Sequence, residues 1–262
     1  MRIGLALSTV FCFAAGAATI PAFAAGVQPK SGDTAHSESA AAEQCGTVFG
    51  AKVCTSYRLE AGKVTQFSLR VPIALLDQAP ATAPMVWPPK ADAAIPFADA
   101  VKDQTGFTFS NIYWNPMGHV PEAYMVPHYD FHFYFVPPET VAGIDCKDTN
   151  KPNAIPAGYA MPDENIPPIG ELTGICIPEM GMHAIPAGDL TTKTWAGSML
   201  VGYYSGKPVF IEPMITKALL MKKQSFSLEI PEIAATPNVR YPKKFNAVYS
   251  PESASYDFTF SY

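Results

Sequence analysis

The placement of proline constrains this chain more than any other feature. Its 26 prolines, with 18 glycines, are spread along the whole length and do not form a repeat. Each proline removes a backbone donor and clashes with the preceding helical turn, so long helices find no room between them. Short strands and ordered loops remain, because proline is tolerated at strand starts, edges and bulges. The expected fold is mainly β: an antiparallel sandwich or barrel-like single domain with long Pro/Gly-rich loops and little helix. With 48% hydrophobic residues it can bury a real core.

Met1-Arg2 precedes an apolar run to about Ile20 and a small-x-small site, Ala22-Phe23-Ala24. This is the pattern of a secretory signal peptide cut after Ala24. Pro21 and the small residues interrupt the run where a membrane anchor would have to continue. Cys12 lies inside the apolar region with no small residue before it, which argues against a lipoprotein. The expected organisation is 1–24 signal peptide, 25–43 flexible mature N-terminus and 44–262 one β-rich domain, in the periplasm or secreted, with no membrane span after cleavage.

Export changes how the cysteines read. Cys12 leaves with the signal, and Cys45, Cys54, Cys146 and Cys176 in an oxidising compartment suggest two disulfides. Cys45 and Cys54 flank a short hairpin whose ends would meet, which favours 45–54 and 146–176. No C-x₂-C zinc spacing occurs. The net charge is -5, and loss of Arg2 leaves 17 basic against 23 acidic side chains, or -6. Such a chain has no basic patch, which excludes nucleic acid as a partner class. A small-molecule ligand and a homo-oligomer stay open.

Alternation of apolar and polar residues marks strands at Thr47–Leu59 and Val64–Val71, joined through Ala61-Gly62. Residues 79–98 are Pro/Ala-rich and read as an ordered surface excursion, with a helical turn at 98–102. Phe107–Trp114 is a strand leading to the Asn115-Pro116 turn. Pro137–Thr140 starts a short helix, and 145–170 is a long loop that the 146–176 disulfide would tether. Ser198–Tyr204 and Lys207–Ile215 form a hairpin about Ser205-Gly206. Tyr256–Tyr262 alternates and is expected to close a sheet.

Three of the five histidines fall in Gly118–Phe135. His128-x-x-x-His132 has the spacing of a helical zinc pair, but Tyr129 stands where the metalloprotease motif has its glutamate. The segment is also dense in aromatics between Pro127 and Pro137, which favours a strand. On a strand His128, Asp130 and His132 share one face, with Tyr129, Phe131 and Phe133 on the other. At ~3.3 Å per residue the two histidines lie about 13 Å apart, too far for one ion, while neighbours about 6.6 Å apart can converge. The strand thus supplies one His/Asp pair, and a full site needs His119, His183 or Glu212 from elsewhere. The candidate metal ligands are His119, His128, Asp130, His132, His183 and Glu212. Zinc or copper suits such donors. His36 reads as incidental, and Tyr113, Trp114, Tyr203 and Tyr204 as core or interface.

Gly118-His119-x-Pro121, Pro127-His128-Tyr129-Asp130-Phe131-His132-Phe133-Tyr134, Pro178-x-Met180-Gly181-x-His183, Gly202-x-Tyr204-x-Gly206-Lys207 and Phe210-x-Glu212-Pro213-Met214 follow one another in order. Over roughly residues 106–222 this set resembles an exported bacterial family of unknown function typified by a sigma-E-controlled protein of Thermus. The resemblance implies an exported, β-rich, oligomeric domain and transfers no activity. A looser analogy is to the cupins, whose ligands come from a His-x-His strand and a Pro-x-Gly-x-x-His segment. Here the spacing departs in both places.

No Gly-x-Ser-x-Gly turn, phosphate loop or dinucleotide fingerprint occurs, so a nucleophilic serine and a nucleotide cofactor are not expected. Three readings follow. One is an exported His/Asp/Glu transition-metal protein, extending to a metal-dependent hydrolase or lyase; the others are a non-catalytic small-molecule binder and a structural envelope protein.

Overall fold

A computed structural model describes residues 43–84 and 86–262. The expected signal peptide, its cleavage point, His36 and all but the last residue of the 25–43 segment lie outside them. The chain starts with three strands, β1 (Gln44–Val48), β2 (Ala51–Glu60) and β3 (Lys63–Pro72), then helix α1 (Ile73–Gln78). Next come β4 (Ala93–Pro96), α2 (Asp99–Thr105), β5 (Phe109–Asn115), β6 (His128–Tyr134) and α3 (Pro138–Ala142). The long loop holds β7 (Tyr159–Ala160), β8 (Glu164–Ile166) and β9 (Gly170–Leu172). After it run β10 (Met182–Pro186), β11 (Gly197–Tyr204), β12 (Lys207–Thr216), α4 (Lys217–Leu220), β13 (Phe226–Leu228), β14 (Lys244–Ser250) and β15 (Ser255–Ser261).

The strands form two open antiparallel sheets, with orders β1-β2-β3-β15-β14-β13 and β4-β5-β6-β12-β11-β10-β7, while β8 and β9 pair separately. Their facing sides share one aromatic core. Phe131 meets Phe258 edge-on at 4.8 Å between ring centroids, and Phe133 meets Phe260 at 4.7 Å. Edge-to-face pairs of this kind add to the burial term. The arrangement is a sandwich, with neither sheet closed into a barrel.

The two sheets differ in their outer faces. In the first, β15 alternates buried Tyr256, Phe258 and Phe260 with half-buried Asp257 and Thr259. Those polar residues find cross-strand partners: Arg70 Nε donates to Asp257 at 2.9 Å, and the Ser68 and Thr259 hydroxyls lie 2.9 Å apart. In the second, every residue of β6 is buried. Its inner face is aromatic, and its outer face, His128, Asp130, His132 and Tyr134, is covered by side chains of neighbouring strands and loops, with Phe210 on His132, Phe109 on Tyr134 and Trp195 on His128.

Two expectations change. The C-terminal strand does not close its sheet; β15 lies inside it, between β3 and β14. β14 escaped notice because its solvent side carries exposed Val248 among its polar residues, which blurs the alternation. Thr47–Leu59 is not one segment either, because Phe49-Gly50, both at positive φ, turn the chain and put Cys45 opposite Cys54. Disulfides join Cys45 to Cys54 and Cys146 to Cys176. The 145–170 loop is further held by Lys151, 2.7 Å from Asp163, whose carboxylate accepts the Gly174 N–H. Among the described residues no helix is long and apolar enough to cross a membrane.

Candidate metal centres

Register brings the polar row together. β5 places Asn115 opposite His128, Tyr113 opposite Asp130 and Asn111 opposite His132. On the other side β12 places Met214 opposite Asp130 and Phe210 opposite Tyr134, so Glu212 comes level with His132. One strand further, Gly202 of β11 pairs with both Phe210 and His183. His119 reaches the row from the loop before β6. All six candidate residues therefore meet on the outer face of the second sheet.

They meet as two groups, not one. His119, His128 and Asp130 form the first, and His132, His183 and Glu212 the second; within each, the three ligand atoms lie within 4.8 Å of one another. The sequence pointed to a single site completed from outside the strand. The actual division follows from the strand itself, since Asp130 and His132 are two residues apart and each recruits a different loop or strand.

In the first group His128 Nε2 is 3.0 Å from His119 Nε2 and 3.2 Å from Asp130 Oδ1, and His119 Nε2 is 3.4 Å from Asp130 Oδ2. His128 Nδ1 donates to the Val126 carbonyl at 2.6 Å and His119 Nδ1 to the Val120 carbonyl at 2.9 Å. With both Nδ1 protons committed to carbonyls, two Nε2 lone pairs face each other at 3.0 Å. Only a positive charge among them, proton or metal ion, relieves that contact. Two nitrogens bound to one tetrahedral ion at 2.0–2.1 Å stand about 3.3 Å apart, close to this spacing. Asn115 Nδ2 donates to Asp130 Oδ2 at 2.8 Å and orients the carboxylate, as outer partners of metal ligands do. Asp130 Oδ1 is buried and accepts no hydrogen bond.

The second group is drier. His132 Nε2 lies 3.1 Å from Glu212 Oε1, and His183 Nε2 lies 3.8 Å from Glu212 Oε2, which is buried without a hydrogen bond. His183 Nδ1 donates to the Ile175 carbonyl at 2.9 Å. His132 Nδ1 instead meets the Tyr134 hydroxyl at 2.9 Å. Phe210 stacks on the His132 ring at 4.4 Å and stands edge-on to His183 at 5.3 Å.

Burial sets the protonation states. It alone would raise the Asp130 carboxyl, but the charge that the adjacent His128 and His119 carry when protonated outweighs it and holds Asp130 well below the usual range. Burial and then the charge of Asp130 push Glu212 well up. Burial lowers His132 to about 4 and also lowers His183. For His119, burial works downward, but the hydrogen bond and charge of Asp130 prevail and raise it. The two carboxyl groups are thus pushed in opposite directions, Asp130 towards its ionised form beside its histidines and Glu212 towards its neutral one, so that a cation binding at Glu212 would have to compete with a proton.

Several supporting residues have a role that the sequence did not assign. Gly202 is one, because a Cβ there would lie 2.0 Å from the Phe210 ring, which needs that space to cover His132 and His183. Gly118, at φ +68°, brings the His119 loop against the Tyr124 carbonyl, where a Cβ would sit at 2.2 Å. Trp195, packed edge-on to His128 at 5.3 Å, donates to Ser198 Oγ at 3.0 Å. Asp189 then accepts from Ser198 at 2.5 Å and from the Tyr124 hydroxyl at 2.7 Å. Trp114 and Tyr203 belong to the inner core, whereas Tyr113 faces His132 at 4.9 Å. Comparison with known protein families, characterised proteins and solved structures gave no match.

Proposed function

We propose that this is an exported protein that binds two transition-metal ions, one in each His₂-carboxylate group. The observation that carries the reading is the approach of His119 Nε2 and His128 Nε2 to 3.0 Å beside the buried Asp130, with each Nδ1 turned to a carbonyl. The Nδ1 anchors and the orphaned carboxylate oxygens on Asp130 and Glu212 support it. Buried acceptors without donors are costly, and a cation is the partner that two histidines and a carboxylate fit. Zinc or copper suits the donor set. A bound divalent ion would supply Lewis-acid polarisation and a water of lowered pKa, the basis of a metal-dependent hydrolase or lyase.

Export to the periplasm or outside the cell is supported by the leader pattern and by two disulfides, which persist in oxidising compartments. The ordered motifs of residues 106–222 support placing the chain with the sigma-E-controlled Thermus-type family.

The test is metal content and titration of protein purified without an affinity tag. Two equivalents are expected, falling to one in Asp130→Asn and to one in Glu212→Gln. Less than a tenth of an equivalent, with no uptake on titration, would sink the reading. The row would then be an internal hydrogen-bonded ladder of a structural envelope protein.

A further inference from the structure

The two groups differ in access. In the second, the side chains of His132, His183 and Glu212 are 1%, 9% and 1% exposed. In the first, His128 and Asp130 are equally closed off, but His119 is 40% exposed. An ion held by three protein ligands keeps a fourth tetrahedral position. Of the six ligand side chains only that of His119 is substantially exposed.

Apart from exposed Glu122, the loop around His119 presents apolar side chains to solvent. Met117, Met125 and Val126 are 66%, 54% and 37% exposed, although their residue types prefer the interior. They lie on the loop that carries His119: the Gly118 backbone packs directly on Met125 and Val126, and the Val126 carbonyl anchors His128. Leu190, 41% exposed, follows Asp189, which holds Tyr124. Tyr124 and Trp195 are stacked against each other at 4.6 Å and flank His128.

Resting on the metal reading above, we infer that the His119–His128–Asp130 centre is the open one and takes a small ligand with a metal-binding head and an apolar body. The His132–His183–Glu212 centre holds its ion closed. The chemical class is an alkyl carboxylate or an isosteric chelator, with the head on the ion and the chain along Met117, Met125, Val126 and Leu190.

Cobalt(II)-loaded protein tests this through its visible spectrum, with azide, acetohydroxamate and octanohydroxamate as probes. All three are expected to perturb the bands in wild type and in Glu212→Gln, and none in His119→Ala. His119→Ala changes a loop side chain at the surface, and its near-UV circular dichroism checks that the fold is kept. Octanohydroxamate is expected to bind at least about tenfold more tightly than acetohydroxamate, given the gain from each buried methylene. Two bound cobalt ions with no spectral response to any probe would overturn the open centre and leave the metal reading standing. A response kept in His119→Ala and lost in Glu212→Gln would assign the opening to the wrong group. Equal affinity for both hydroxamates would overturn the apolar body. Failure to bind cobalt at all would remove the inference together with the reading beneath it.

Discussion

At the scale of single residues, the side chains that do least chemistry are the most exacting. Gly202 has no room for even a methyl group beside Phe210. Gly202→Ala is expected to cost about 1–3 kcal/mol, the range for overpacking a filled site, read from urea denaturation of the metal-free protein. It should also weaken the second centre, whose two imidazoles Phe210 covers. His132 and Glu212 make opposite contributions to acid stability. A histidine lowered to about 4 in the fold stabilises above its unfolded value near 6.5, and that contribution is lost as pH falls towards 4. Glu212 is raised, so its contribution is present below the unfolded carboxyl value and is lost as pH rises through the folded one. Between pH 6.5 and 4 the two therefore offset each other in metal-free protein. Glu212→Gln removes the offset, and its melting temperature should fall more steeply over that window than wild type; parallel curves would contradict the assignment. The six ligand candidates were readable in the sequence because histidine and carboxylate stood beside turn residues or among aromatics. Gly202 and Phe210 stood out only as motif positions, because the fit of a glycine opposite a phenylalanine has meaning only once the strands are in register.

At the scale of elements, β6 joins core and site in one segment. Phe131 and Phe133 pack on Phe258 and Phe260, Tyr129 packs on Trp114, and the even positions line the face that holds the candidate ligands. Phe131→Ala is expected to cost about 3–5 kcal/mol, as for large-to-small changes in a core. Val248→Ala on the exposed side of β14 should stay within about 0.5 kcal/mol. Chemical denaturation of both variants checks the contrast. This division was legible in advance, because a strand's period of two assigns faces without knowledge of its neighbours. What period cannot assign is partners. Asp130 goes with His119 and His132 with Glu212 because of β12 register and the 116–127 loop, which are long-range facts. The interior place of β15 was hidden for the same reason.

At the scale of the whole molecule, a sandwich normally leaves the outer faces of its sheets to water, and here one of them is roofed by loops rich in proline and glycine. The composition that forbade long helices therefore also supplied the cover of the site. One tether in that cover, the Cys146–Cys176 disulfide, sits next to Ile175, whose carbonyl holds His183 Nδ1. Cys146→Ser with Cys176→Ser is expected to weaken ion affinity at the second centre by at least about tenfold, with the first unchanged, since the side-chain hydrogen-bond and ion-pair partners of His119, His128 and Asp130 among the described residues all lie between Asn115 and Asp130. Competition with a metallochromic chelator in Asp130→Asn protein, where only the second centre remains, measures it. That tether also bears on maturation. Until Cys146 and Cys176 are oxidised the carbonyl that aims His183 lacks one of its tethers, the others being the Asp163–Gly174 and Cys176–Thr173 hydrogen bonds. On the proposed two-ion reading, the closed centre would then load in the compartment where disulfides form.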